Sequence, residues 1–354
     1  MHEPMTPTTC LQEAPEPFRS LMHFLHILTV PLYLVSIFSL IFKSPRTLKD
    51  YKNYLLWHTL GNVGFEVYVS VFMLPMTYLP YPIFRITGIL MYFDVNGLLI
   101  FYVLVYCFVH TGASILEMFR YRFNAAITEQ TYTKYILRRL FWIFYALVFA
   151  LPSLGLGTLK RCIPLQNTYK KRLYDRIFQS TIESPIELLC STTVIAPPLL
   201  DPVFTPTLIM IIGLILSGGG IVLITVGGIL KRLNDMRQHL SSKTLNMQRM
   251  LFLSLVVQGL IHAVMLGIPL IAFIYGIVFT LHNDDAASML ILLLSFHGSL
   301  STIAMLIFTK PIREGVASIF RPILVKFLQT ESVPRSAFTI TEISLTRSMI
   351  RKSF

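Results

Sequence analysis

The chain has 354 residues, of which 54% are hydrophobic and only 14% are Asp, Glu, Lys or Arg. Soluble domains carry about 25% charged residues, so this composition excludes an ordinary soluble protein and indicates a membrane protein. The net charge of +12 does not predict nucleic-acid binding, because the basic residues lie in short clusters between apolar runs and not on one solvated face.

Seven apolar runs are long enough to cross a bilayer, whose core of about 30 Å needs roughly 20 residues of helix. Helices are expected because lipid offers no partner for unpaired backbone groups. The runs lie approximately at residues 20–42, 53–77, 86–118, 139–159, 205–230, 248–280 and 287–309. Residues 1–19 lack the basic segment of a signal peptide, so we expect an N-terminal tail and a first run that acts as its own insertion signal.

The Lys and Arg residues orient this bundle. Of the 30 in the chain, 22 lie in the loops and tail that share a side with the C-terminus. Basic residues concentrate on the cytoplasmic side, so the N-terminus is predicted outside and the C-terminus inside. The fold class is therefore an all-α membrane protein, a seven-transmembrane bundle with the layout of a G-protein-coupled receptor. An odd number of spans without an internal repeat argues against the transporter folds built from paired halves.

The second run carries polar residues at every fourth position: His58, Asn62, Glu66 and Ser70. This spacing predicts one slowly drifting stripe that faces the other helices, because lipid would not solvate a carboxylate. One interpretation is a network that holds an ion or water and rearranges on activation. The other is a structural hydrogen-bond cluster. We assign two residues of the seventh run to the same intramembrane network: His297 and Ser301.

The outer part of the third run supplies candidates for a ligand pocket. Asp94 lies near Tyr92 and Asn96, and Tyr275 near the outer end of the sixth run joins them. The alternative for Asp94 is a solvated acid at the rim of the bundle. The sequence shows no His pair with a carboxylate at metal-ligand spacing, no catalytic triad, no phosphate loop and no paired carboxylates. We therefore expect no metal, no cofactor and no enzymatic activity.

The third run ends in SILEMFRYRF, residues 114–123, which places Glu117, Arg120 and Arg122 close together. One interpretation is an anchor in which the arginines reach the lipid head groups. The other is a switch in which an arginine is held inside the bundle and released to a G protein. Glu117 and Arg120 are i, i+3 neighbours on a helix and are able to pair.

Three further features follow along the chain. Cys162 and Cys190 lie in a long outer loop, about 160–204, where they could form a disulfide with Cys10 as a competitor. Pro269 in the sixth run predicts either a hinge or a static bend. Residues 310–329 have the pattern of an amphipathic helix on the inner membrane surface, restarted at Pro322, and residues 330–354 are predicted to be disordered.

Several stretches together resemble the nematode serpentine receptor class H family of chemoreceptors. They are residues 42–58 (FKSPRTLKDYKNYLLWH), residues 242–258 (SKTLNMQRMLFLSLVVQ), the motif HGSLST at 297–302, and the ending formed by Lys310, Pro311 and Arg313. The resemblance implies a chemosensory G-protein-coupled receptor of the plasma membrane, or of the ciliary membrane of sensory neurons. It implies a small-molecule cue bound among helices three, five, six and seven and a heterotrimeric G protein as partner.

The end of the third helix departs from the family pattern. The family ends this helix with Phe-Glu-Asn-Arg-Tyr, whereas this chain has Phe119, Arg120, Tyr121, Arg122 and Phe123. Arg122 corresponds to the arginine that faces the G protein, and the acid that restrains it is replaced by Arg120. Glu117, one turn earlier, is the candidate substitute. The alternatives that stay open are a transporter or channel and a receptor-like protein that does not couple.

Overall fold

The computed structural model describes residues 13–330 apart from 45–47, 49, 80, 82, 94, 128–131, 181–189, 196–204, 236–240, 280 and 282. The N-terminal residues 1–12 with Cys10, and the predicted tail after residue 330, lie outside this described part. The described residues form nine α-helices in chain order: α1 (Glu16–Phe38), α2 (Tyr51–Val67), α3 (Gly97–Ala126), α4 (Tyr132–Ser180), α5 (Thr205–Asp235), α6 (Ser242–Val278), α7 (Asp284–Ser295), α8 (His297–Phe308) and α9 (Lys310–Thr330).

Seven helical segments correspond to the seven predicted runs. Within the described chain, five helices (α1, α3, α4, α5 and α6) are long and apolar enough to cross a membrane, and α7 with α8 makes a sixth candidate bent by 42°. The remaining segment is α2, which has only 17 residues of α-helix and carries the polar stripe. It is extended by a π-helical turn, Tyr68–Met73, and α1 ends in a similar turn, Ser39–Lys43. The predicted helical membrane fold is confirmed.

The distribution of apolar side chains is that of a bundle surrounded by lipid. Large apolar residues cover the outer surface, including Trp142, Phe149, Leu216, Leu223 and Ile271, each at least 68% exposed. Polar residues lie inside instead, among them the whole stripe of α2. In water this arrangement would expose a costly apolar surface, whereas lipid solvates it and leaves the polar groups to pair with one another.

A small antiparallel sheet, absent from the sequence prediction, covers the predicted outer end of the bundle. It contains β1 (Pro75–Tyr78), β2 (Ile83–Ile86) and β3 (Thr193–Ile195) in that order. Arg85 lies opposite Met76 on one side and opposite Thr193 on the other. The sheet also joins α3, because the first amide of that helix, at Gly97, donates to the Ser191 carbonyl over 3.1 Å.

The start of the third span was therefore predicted too early. The apolar stretch from residue 86 was expected to be helical, but it is the end of β2 followed by a 3-10 turn, Ile89–Phe93, and α3 starts at Gly97. The close contact of the backbone at Gly88 with the backbone at Phe72 and Met73 explains the difference. Its amide donates to the Met73 carbonyl over 3.0 Å, and a Cβ there would lie 2.5 Å from the Phe72 carbonyl oxygen. The chain must turn here before a helix can begin.

Two further boundaries differ from expectation. The outer loop predicted from about residue 160 is helical as far as Ser180, because α4 continues well beyond the 20 or so residues that a bilayer needs. The segment after Pro311 is one helix, α9, which passes through Pro322 instead of restarting there. Its placement on the membrane surface stays a prediction.

Candidate functional site

The polar stripe of α2 faces the interior of the bundle, as its four-residue spacing predicts. Its four members, His58, Asn62, Glu66 and Ser70, are all buried, and the carboxylate residue Glu66 is 0% exposed. An ionisable group that is closed off in this way is costly unless neighbouring groups satisfy it. The partners of each side chain therefore show what the stripe holds together.

Glu66 binds three side chains of α1. The Tyr33 hydroxyl donates to Oε2 over 2.8 Å, and the Thr29 hydroxyl donates to Oε1. The His26 Nδ1 atom lies 3.4 Å from the same oxygen. One carboxyl group thus ties α1 to α2 at the middle of the bundle. Ser70, one turn further along, donates only to the Glu66 carbonyl of its own helix, over 2.6 Å.

His58 connects α2 to α3. The Asn62 amide lies 3.1 Å from His58 Nε2, and His58 Nδ1 lies 2.7 Å from the Ser114 hydroxyl oxygen. The amide nitrogen is a donor, so Nε2 accepts and the ring proton resides on Nδ1, which donates to Ser114. Ser114 in turn donates to the Thr111 carbonyl over 2.8 Å. This chain of hydrogen bonds is continuous from Asn62 into the backbone of α3.

Three imidazole rings from three helices meet beside this chain. The ring centroids of His58 and His262 are 5.1 Å apart, and those of His262 and His297 are 4.9 Å apart. His262 places Nδ1 on the Gln258 carbonyl of its own helix, and His297, the first residue of α8, places Nδ1 on the Leu294 carbonyl of α7. Neither Nε2 has a partner among the described residues. Ser301, also assigned to the network, is buried, and its hydroxyl lacks a partner in the described part of the chain. No group of three His, Cys, Asp or Glu among the described residues could hold a metal ion.

Gly298 allows α8 to approach this network closely. A Cβ at this position would lie 2.6 Å from Asn62 Cβ and 2.9 Å from the Tyr33 hydroxyl oxygen. We therefore expect G298A to force α8 away from α2 and to lower the free energy of unfolding by about 1–3 kcal/mol. The measurement is thermal unfolding of the purified protein in detergent.

The matched control for this prediction is G219A in α5. Gly219 is exposed, and a Cβ there meets no atom within 4 Å, so its replacement should leave the unfolding temperature at or slightly above that of the wild type. Equal unfolding temperatures for the two variants would show that close packing at Gly298 is unimportant.

Arg122 lies at the other end of the bundle, at the predicted cytoplasmic mouth. It is only 8% exposed, and its guanidinium carbon lies 3.7 Å from the centre of the Tyr51 ring at the start of α2. Its Nε and one of its terminal nitrogens are buried without an acceptor in the described part of the chain. A cation–π contact with Tyr51 therefore holds the guanidinium inside, although two of its donors stay unsatisfied.

Glu117 does not replace the missing acid beside Arg122. Its carboxylate pairs instead with Arg120, with contacts of 2.6 Å to Nη2 and 2.8 Å to Nε. The pairing of Glu117 with Arg120 follows the i, i+3 spacing, but the suggested restraint of Arg122 by Glu117 is not found. A cavity of about 470 Å³ opens next to this pair and is lined by Tyr54, Arg120, Tyr121, Asn124 and Ala125.

The candidates for the ligand pocket are not gathered in one enclosed site. Tyr92 and Tyr275 are 59% and 52% exposed. Asn96 caps α3, since its side-chain oxygen accepts from the Leu98 amide over 2.9 Å. Asp94 lies outside the described residues.

The inferred hinge, Pro269, lies inside α6, which is continuous through it. Its movement stays a prediction.

The pairing of Cys162 with Cys190 stays a prediction. Cys190 takes part in a disulfide. Cys162 is buried in an apolar cluster with Leu98, Leu159 and Val194. This cluster places Cys162 on the helical part of the predicted loop, beside β3.

Some contacts of the candidate site were not predicted from the sequence. Tyr51, which covers Arg122, looked like an ordinary aromatic residue in a loop. The available signal was the resemblance of residues 42–58 to the family pattern, which marks this segment without giving the contact. The α1 residues that bind Glu66 are His26, Thr29 and Tyr33, whose spacing of three and four residues places them on one helix face.

Comparison with known protein families gives a match over most of the chain. The sequence model of the family described as serpentine type 7TM GPCR chemoreceptor Srh matches residues 13–322. A search of curated proteins and a search of solved structures gave no match. The matched range includes the polar network, Arg122 and all of the candidate membrane spans.

Proposed function

Since the chain belongs to the Srh family of serpentine seven-transmembrane chemoreceptors, a family of receptors and not of enzymes, we propose that it binds a small-molecule cue and activates a heterotrimeric G protein. The expected resemblance to this family is confirmed, and the chain is a multi-pass membrane protein of the chemosensory receptor class. The proposed location is the plasma membrane, including that of sensory cilia. The proposed orientation places the Arg122 end in the cytoplasm.

The observation that supports coupling is the state of Arg122. Its guanidinium is buried under the Tyr51 ring while two of its nitrogens lack acceptors. Each unsatisfied buried donor costs about 1–3 kcal/mol, which the ring contact offsets only in part. A partner that presents carbonyl or carboxylate oxygens at the mouth of the bundle would satisfy these donors. The arginine is therefore suited to move from an internal contact to an external one.

The polar network offers a route by which the cue could influence this contact. Tyr51 begins α2, and the same helix carries His58 and Glu66, which bind α3 and α1. A change in these hydrogen bonds would shift α2 and with it the Tyr51 ring. A ligand can drive that shift only if it binds one packing of the helices more tightly than the other.

Replacing Tyr51 tests this mechanism. In Y51L the cation–π contact is lost, so the buried form of Arg122 is destabilised by about 1–2 kcal/mol and the ligand-free receptor should activate G protein several-fold faster. Y51F keeps the aromatic ring and should behave as the wild type. The measurement is guanine-nucleotide exchange on purified heterotrimers of each subtype, driven by the receptor in lipid nanodiscs.

The outcomes separate the interpretations. Faster exchange with Y51L and not with Y51F supports an arginine restrained by the ring. No exchange with any heterotrimer, by the wild type or by either variant, would contradict the proposed coupling and favour a receptor-like protein without a G-protein partner. The amount of folded receptor, measured by size-exclusion chromatography, serves as the control for all three.

A further inference from the structure

A cavity of about 210 Å³ lies at the predicted outer end, between the start of α3, the outer part of α4 and β3. Its lining is formed by Asn96, Leu98, Ile163, Gln166, Asn167, Lys170, Ser191 and Thr193. Pockets for drug-sized ligands measure about 300–1,000 Å³, so this cavity suits a smaller molecule. Leu98 and Ile163 make part of the lining apolar, whereas the other six residues are polar.

A buried cation distinguishes this cavity. Lys170 is only 4% exposed, and its ammonium donates to the Cys190 carbonyl over 2.5 Å. An ammonium has three donors, and Lys170 makes no ion pair with a carboxylate among the described residues. The outer half of α4 extends beyond the length that a bilayer covers, so this group lies outside the membrane. Burial lowers the pKa of the Lys170 ammonium to about 8.

The polar groups around Lys170 leave few acceptors for it. The Gln166 side chain is committed to Ile195, with its amide donating to the carbonyl over 2.9 Å and its oxygen accepting from the backbone amide over 3.1 Å. The Asn96 oxygen accepts from the Leu98 amide. The amide groups of Asn96 and Asn167 supply N–H donors for a guest, and the Asn167 oxygen is an acceptor as well. The cavity thus offers donors and positive charge to a guest.

The start of α3 adds positive potential to the cavity. The N-terminus of this helix lies where Asn96 and Leu98 form part of the lining, and its dipole favours a negative charge. The first amides of α3 already have partners in Ser191 and Asn96, so the helix contributes its field and not its hydrogen bonds.

We propose that this cavity is a binding site for a small carboxylate, with the carboxylate on the Lys170 ammonium and a short hydrocarbon part against Leu98 and Ile163. The inference deepens the proposed function, because it names the chemical class of a cue, and it rests on that function only for its signalling consequence. An inorganic anion would leave the apolar part of the lining without a partner, and a neutral molecule would leave the positive charge of the ammonium uncompensated.

The test uses sodium butyrate as the probe, with purified full-length receptor in nanodiscs and no G protein present. Binding is followed by the rise in unfolding temperature and by isothermal titration calorimetry. Butyramide, which has nearly the same shape without the charge, and sodium chloride at equal ionic strength are the reference solutes. Butyrate should bind at least about tenfold more tightly than butyramide, since only the carboxylate makes a charge-assisted hydrogen bond with the ammonium.

Matched variants locate the site. K170Q should weaken butyrate binding at least tenfold, whereas K171Q, which changes the exposed neighbouring lysine, should leave it unchanged. K170R keeps the positive charge and should retain binding, which guards against a folding defect in K170Q. Equal binding of butyrate and butyramide, or equal losses in K170Q and K171Q, would overturn the proposal.

A pH series on the wild type gives an independent result. The Lys170 ammonium is charged below its pKa of about 8 and becomes neutral above it, so the association constant for butyrate should be level near pH 7 and fall towards pH 9.5. No other residue that lines the cavity titrates. A flat profile would contradict a role for Lys170. Because the assay contains no G protein, its failure would leave the proposed coupling through Arg122 untouched.

Discussion

In R122A, receptor-driven nucleotide exchange on the G protein falls to background while the bundle stays folded. The guanidinium is the group proposed to leave Tyr51 and contact the partner, and loss of a buried charged contact in an interface costs about 2–5 kcal/mol, which is about 30-fold or more in affinity. The fold should tolerate the change because two guanidinium nitrogens are already without acceptors in the described structure. Exchange rate and unfolding temperature are measured on the same nanodisc preparation.

R120A provides the matched control. The Arg120 side chain is 43% exposed and that of its partner Glu117 is 8% exposed, so R120A removes a half-buried ion pair without touching Arg122. Its replacement should change exchange only slightly. If R122A exchanged nucleotide as fast as the wild type, the arginine would be an anchor at the membrane surface, which is the other interpretation that the sequence allowed.

The second large effect is expected in E66L, which should unfold far more easily than the wild type. The substitution leaves the Tyr33 and Thr29 hydroxyls without their acceptor inside the bundle and also removes the partner of His26. At about 1–3 kcal/mol for each buried donor, the total loss amounts to several kcal/mol, a large fraction of the stability of a typical protein. The measurement is thermal unfolding in detergent together with the yield of monodisperse receptor.

S70A is the control for that experiment, because Ser70 belongs to the same buried stripe but donates only to the carbonyl of Glu66 in its own helix. Its loss should cost about 1 kcal/mol or less. E66Q keeps one side-chain oxygen as an acceptor and should lie between the two. An E66L variant as stable as S70A would show that the carboxylate holds nothing together.

The success of the sequence analysis was greatest where physics acts locally. The helical character of the long apolar runs follows from their length. The inward orientation of the α2 stripe follows from its spacing and from the cost of placing Glu66 in lipid. The pairing of Glu117 with Arg120 follows from their separation by three residues on a helix. Each of these arguments needs only the residues of one segment.

Contacts between distant segments could not be predicted from the sequence. A short apolar stretch such as Ile83–Ile86 fits a strand as well as the start of a buried helix, and only its partners β1 and β3 decide between them. The contact between Tyr51 and Arg122 joins two helices and has no local pattern. The outer half of α4 was predicted to be a loop. The structure shows that the helix continues to Ser180, since charged residues are compatible with a helix.

The small sheet has a mechanical consequence for the whole molecule. Its strands and the hydrogen bonds from Gly97 and Gln166 join the ends of α2, α3 and α4 on one side of the bundle. Helices that are linked at one end can move apart only at the opposite end. Widening of this molecule would therefore be one-sided, with its pivot at the strands and its greatest travel where Arg122 lies.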